Sequence, residues 1–169
     1  MPTPDDRRTY THFLREFFAI FPLEDVVSLV ICDDGDFGSN DFLRVFAQEH
    51  LHDITSVTFQ AGKIELFCSA LCERTPQPAP GRAFLLCPCL KALQFNQFDF
   101  SEISHREQKA FQENLVDLLQ QRKENASPIE EVVFNYCPGM DETWINTFRV
   151  VEGTDVGFYS YEDLLIQSQ

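Results

Sequence analysis

Cys68 and Cys72 stand four residues apart, and Cys87 and Cys89 stand two apart. On extended strands each pair shares a face. If two such strands paired, four sulfurs could converge, and an all-thiolate quartet is a zinc-binding set. The spacings differ from the usual knuckle arrangement, however, and the surrounding segments are apolar. Free cysteine there packs as a small hydrophobe, so buried thiols are expected, with no metal and no cofactor. Cys137-Pro138-Gly139 could expose a thiol at a turn, but no histidine accompanies it in sequence.

Asp33-Asp34-Gly35-Asp36, with Asp41 beyond, offers oxygen ligands suited to Mg²⁺ or Ca²⁺. It is the basis of one alternative, a divalent-metal-dependent enzyme using the Asp33–Asp41 loop. The spacing does not match a calcium-binding EF-hand loop, and Asp-Gly clusters are ordinary turn material. His50-Leu51-His52-Asp53 groups two imidazoles with a carboxylate, yet histidines also belong at a helix C-terminus, facing its negative dipole end. The chain has no G-x-S-x-G, P-loop, G-x-G-x-x-G or H-E-x-x-H motif. No catalytic residue is assigned.

Charge is the stronger signal. The 169 residues carry 27 Asp and Glu against 13 Lys and Arg, a net charge of −14. Such a surplus repels phosphates and anionic lipid headgroups, so neither nucleic acid nor a membrane is the expected partner. The excess falls in two tracts. Residues 16–41 hold seven acids and no Lys or Arg, and residues 124–163 hold nine acids and one Arg. If folding joined them, they would make a negative face able to steer a cationic protein. The expectation is therefore an acidic binding module that sequesters or inhibits a basic partner. In charge alone it parallels immunity proteins and nucleic-acid mimics. The expected contacts are Asp33, Asp34, Asp36, Asp41, Glu130, Glu131, Asp141 and Glu142, with Tyr136 and Trp144 as aromatic anchors if exposed. A further alternative is an assembly subunit with an exposed apolar patch.

The elements that would hold these residues follow from periodicity. Thr3, Pro4 and an aromatic stripe through Phe21 predict a first helix. Residues 26–32 form an apolar run expected to be a strand buried on both faces. A short helix is expected from Ser39 or Asn40 to His50, and a hairpin from Ile54–Phe59 and Ile64–Cys72. Residues 74–81 hold three prolines and are expected to be a loop, followed by a strand over Ala83–Leu90. Ser104 and Glu107 form a capping box for a helix with Phe111, Leu115, Leu118 and Leu119 facing inward. Glu131–Tyr136, Trp144–Val151 and Val156–Ser160 are expected strands, the last two joined as a hairpin, with a helical turn over Tyr161–Ile166. No internal repeat is apparent. The order predicts one α+β domain over residues 1–169, with a largely antiparallel sheet and helices packed mainly on one face. The N-terminus lacks a signal-peptide pattern and no segment reaches membrane-spanning length, so a cytoplasmic location is expected.

Overall fold

The computed structural model describes residues 26–32, 53–60, 68, 71, 74–76, 83–85 and 87–160. The helices expected before residue 22 and over residues 40–50, and the turn after residue 160, lie outside these residues.

The elements run β1 (Ser28–Ile31), β2 (Ser56–Phe59), β3 (Arg74–Pro76), β4 (Ala83–Leu85), β5 (Ala92–Asn96), α1 (His105–Glu124), β6 (Glu131–Asn135), α2 (Glu142–Phe148) and β7 (Asp155–Tyr159). The main sheet has the order β1-β2-β5-β6-β7, and every neighbouring pair in it is parallel. Only the small β3–β4 pair is antiparallel. The expectation of a largely antiparallel α+β sheet is therefore wrong, and the arrangement is α/β. Parallel neighbours cannot be joined by tight hairpin turns and need a crossover. In two places the sequence reading had taken a crossover for part of a hairpin. Cys68 and Leu71 are helical rather than strand, and Glu142–Phe148, which overlaps the expected strand Trp144–Val151, is α2.

The α2 segment is rich in Trp, Ile, Thr and Phe, which favour strands. Its helix is fixed instead by Asp141, whose carboxylate accepts the Trp144 N–H at 3.1 Å, and by burial of Ile145 and Phe148 on one side. The longer helix α1 matches its expected start and inward stripe. Ser104 and Glu107 complete a reciprocal capping box, and Phe111, Leu115, Leu118 and Leu119 are buried. The hydrogen bonds from Ser104 hold the Glu107 carboxyl below its ordinary value. Arg122 and Lys123 occupy the last turn, where cations suit the dipole.

Strand order in the main sheet follows chain order without reversal. Right-handed crossovers are the rule for parallel strands, and with a monotonic order one hand sends every crossover to the same face. Both described helices pack there. Phe111 of α1 meets Phe95 edge-on at 5.7 Å, and Phe148 of α2 stacks on Phe134 at 5.4 Å.

The register shows a repeat that sequence inspection had missed. Ile31, Phe59, Phe95, Phe134 and Phe158 lie in one row across the sheet, and Leu29, Val57, Leu93, Val132 and Val156 in another. All of these residues belong to or pack against the core. Within the first row, Phe59 stacks on Phe95 and Phe95 on Phe134, at 6.0 and 5.0 Å. Each such aromatic pair is worth about 0.5–1.5 kcal/mol beyond the area it buries. Three residues before the second row, Ile54, Leu90 and Ile129 are likewise buried. The backbone repeats as well. The Val27, Thr55 and Lys91 carbonyls each accept two successive N–H groups from the next strand, at 2.7–3.1 Å. The recurring unit, apolar-x-x-apolar-x-Phe, is complete in β2, β5 and β6, while β1 carries Ile31 at its last position and β7 is preceded by Gly153 at its first. Ile31 for Phe in β1 and Gly153 for an aliphatic residue before β7 hide it from inspection of the sequence.

The strand β1 was expected to be buried on both faces. In the structure Ser28 and Val30 are exposed while Leu29 and Ile31 pack inward, because β1 has a neighbour on one side only among the described strands.

Candidate binding surface

Alternation along parallel strands assigns every second residue to the face away from the helices. Register then lines these residues into three rows: Ser28, Ser56, Ala92, Glu131 and Asp155; Val30, Thr58, Gln94, Val133 and Gly157; and, from the strand ends, Asn96, Asn135 and Tyr159. No described helix packs on this face, though Thr58 and Val133 in its middle row are themselves buried, at 8% and 9% exposure. Val30 is 54% exposed and Tyr159 48% exposed, at opposite margins.

The rows are tied sideways by uncharged groups. The Asn135 Nδ2 donates to Asn96 Oδ1 at 2.8 Å, and the Thr58 hydroxyl donates to Gln94 Oε1 at 3.4 Å. These bonds hold the short side chains flat against the sheet. Gly157 opens a step in the middle row. A Cβ there would lie 3.5 Å from the Tyr159 ring and 3.8 Å from Val133, so the ring leans back over the glycine toward the valine. Glu131 and Asp155 are register partners at the N-terminal end of this face. They form no ion pair among the described residues.

The sequence-predicted contacts are divided by this geometry. Glu130, one residue out of phase with Glu131, pairs with Lys91 at 2.7 Å, and that partner raises the Lys91 ammonium above its ordinary value. Glu131 stands on the open face. Asp141 and Glu142 sit beyond the C-terminal end of β6, where Asp141 caps α2 and Glu142 occupies its first turn. The five-residue strand β6 separates these two groups by roughly 15 Å. Trp144 is half-buried, its ring on Phe100 at 5.1 Å, so it serves the core. Tyr136 is half-buried with φ of 55° directly after β6, matching Gln97 with φ of 57° after β5. Asp33, Asp34, Asp36 and Asp41, with His50 and His52, lie outside the described residues. Asp155, Gly157 and Tyr159 had not been expected to matter. Their signal was the shared register of Val156-x-Phe158 with Val132-x-Phe134.

The described cysteines can be placed, while Cys72 lies outside the described residues. Among the described residues no three His, Cys, Asp or Glu side chains group to hold a metal ion. Cys87 and Cys89 fall in a turn rather than on a strand, Cys87 buried and Cys89 exposed. Burial pushes the Cys87 thiol up to about 12 and the Cys137 thiol up to about 11. Both therefore stay protonated and unreactive at neutral pH. Cys137 instead donates to the Phe95 carbonyl at 3.3 Å. Open α/β sheets place ligand crevices where strand order reverses, and the described strands contain no such reversal. No described helix is long and apolar enough to cross a membrane.

The class defined by these features is a strand-and-helix repeat sheet with the described helices on one face and none of them on the other. Comparison with protein families, with curated proteins and with solved structures yields no match.

Proposed function

We propose that this chain is a protein-binding module that engages a basic partner, sequestering or inhibiting it by occupancy rather than by chemistry. The observation that carries the reading is the face of the five-stranded sheet on which no described helix packs. It is pinned by its own side-chain bonds, and among the described residues it bears exposed carboxylates, Glu131 and Asp155, but no Lys or Arg. The cations on the main sheet and its two helices lie elsewhere. Lys91 pairs with Glu130, Arg106, Lys109 and Lys123 are on α1, Arg122 is buried, and Arg149 follows α2.

The repeat supports the same reading. Repeat proteins stack one supersecondary unit on the next and use the continuous surface so formed for binding. The spacing Ile129-x-x-Val132-x-Phe134-x-x-Cys137 also follows the first four positions of a leucine-rich repeat unit, a strand-and-helix repeat of this kind, with Gly139 where that pattern has its next leucine. The net charge of −14 favours a basic partner over an acidic one.

Affinity capture tests the proposal. The immobilised full chain should retain a basic protein from a native lysate at about 0.05 M salt and release it near 0.5 M, because exposed charge pairs are screened. The protein, identified and purified, should then bind in a defined ratio. Failure to retain any basic protein at low salt would refute the proposal.

A further inference from the structure

We infer that the docking point on the open sheet face is the Val133–Gly157–Tyr159 step together with Glu131 and Asp155, and that it receives an arginine-bearing segment of the partner. This rests on the proposed function and locates it.

Three features converge on this corner. The first is shape. Gly157 has no side chain in the middle row, and the Tyr159 ring leans over it, 3.5 Å from where a Cβ would stand, with buried Val133 3.8 Å from the same point. The place above the glycine is therefore already covered, and the surface on offer is the outer side of the Tyr159 ring, which is 48% exposed. A flat side chain can lie against that ring. The second is charge. Asp155 is two residues from Gly157 on the same strand and face, and Glu131 is its register partner. No described cation neutralises either carboxylate. The third is the absence of an equivalent elsewhere on the face. Toward β1 the rows run through Ala92, Ser56 and Ser28 and through Gln94, Thr58 and Val30, with neither a carboxylate nor an aromatic ring.

Arginine suits the step better than lysine. Its planar guanidinium can stack on the tyrosine face and still present a fork of N–H donors to carboxylates. The compact, strongly hydrated ammonium of lysine gains less from an aromatic wall. The acids near α2 offer no comparable place. Asp141 is engaged with the Trp144 N–H, and the nearby Trp144 ring is committed to Phe100 and Phe111.

The test uses the full chain, isotope-labelled, titrated at low salt with two synthetic nonapeptides of equal charge, one arginine-rich and one lysine-rich. Amide shifts should centre on Glu131, Val133, Asp155, Gly157 and Tyr159, and the arginine peptide should bind about threefold or more tighter. The double variant Glu131→Gln, Asp155→Asn should weaken both peptides by about tenfold. Tyr159→Leu should abolish the preference for arginine and leave the spectrum otherwise folded. Equal affinity for the two peptides, no binding, shifts centred on Asp141 and Glu142, or shifts spread over the helical face would each overturn the inference. A captured basic partner that binds the double variant as well as the parent chain would overturn it too, while leaving the proposed function intact. Failure to capture any basic protein strikes the function itself.

Discussion

Cys87 shows how burial sets the behaviour of a single group. Its ordinary value is 9.0 and desolvation raises it to about 12, outweighing the opposing effect of Arg122. The folded state therefore prefers the neutral thiol, while the unfolded chain releases the proton near pH 9. This contribution is fully present below pH 9 and is lost as pH rises toward 12, by up to about 4 kcal/mol. Urea midpoints measured from about pH 8 to pH 11 should fall more steeply for the parent chain than for Cys87→Ala. Arg122 acts beside it. It is fully buried, and its guanidinium donates to the Cys87 carbonyl at 2.7 Å, the Ser127 carbonyl at 3.2 Å and the Ser127 hydroxyl at 2.8 Å. The Ser127 hydroxyl in turn donates to the Pro88 carbonyl. The end of α1 is thus bolted to the turn before β5. Arg122→Ala strands these acceptors and should cost about 3 kcal/mol in chemical denaturation. Arg122→Lys should recover only part, since an ammonium lacks the fork. Nothing in the sequence marked Arg122, because it occupies a helix end where a solvated cation is the ordinary expectation.

Elements differed in how openly they announced themselves. The helix α1 was readable because its signals are local: a capping serine, a glutamate three residues on, and four apolar residues on one side. The strands β6 and β7 were readable from β-branched and aromatic content. The helix α2 was not, since Trp144, Ile145, Thr147 and Phe148 each favour strand locally and only packing on the sheet reverses the preference. Asp141 was the overlooked local clue. Asp141→Ala should therefore destabilise by about 1 kcal/mol, and Asp141→Asn by much less, as read by thermal melting. The strand β5 was missed because Ala92–Asn96 is short and holds two polar residues. Its identity comes from lying between β2 and β6, a non-local fact. Element order alone suggested antiparallel pairing because two crossovers, the helical residues near Leu71 and α2 itself, had been read as strands.

For the molecule as a whole, composition correctly drew attention to acidity but could not say where the acids gather. The sheet sends Glu131 and Asp155 to its open face at one end and Asp141 and Glu142 to the other end. Glu130 is already neutralised by Lys91. Tyr159 and Gly157 escaped notice because an exposed tyrosine and a glycine within a strand mean little until register sets them side by side. The monotonic strand order has one more effect. Within the described sheet each strand pairs only with its immediate neighbours, so the strands behave as a line of coupled leaves. Local opening costs least where a leaf has one neighbour and most where it has two. Amide hydrogen exchange should accordingly be slowest in β5 and β6 and quicken outward, reaching its fastest among these strands at β1. Uniform protection across all five strands would mean that the sheet yields only as a block.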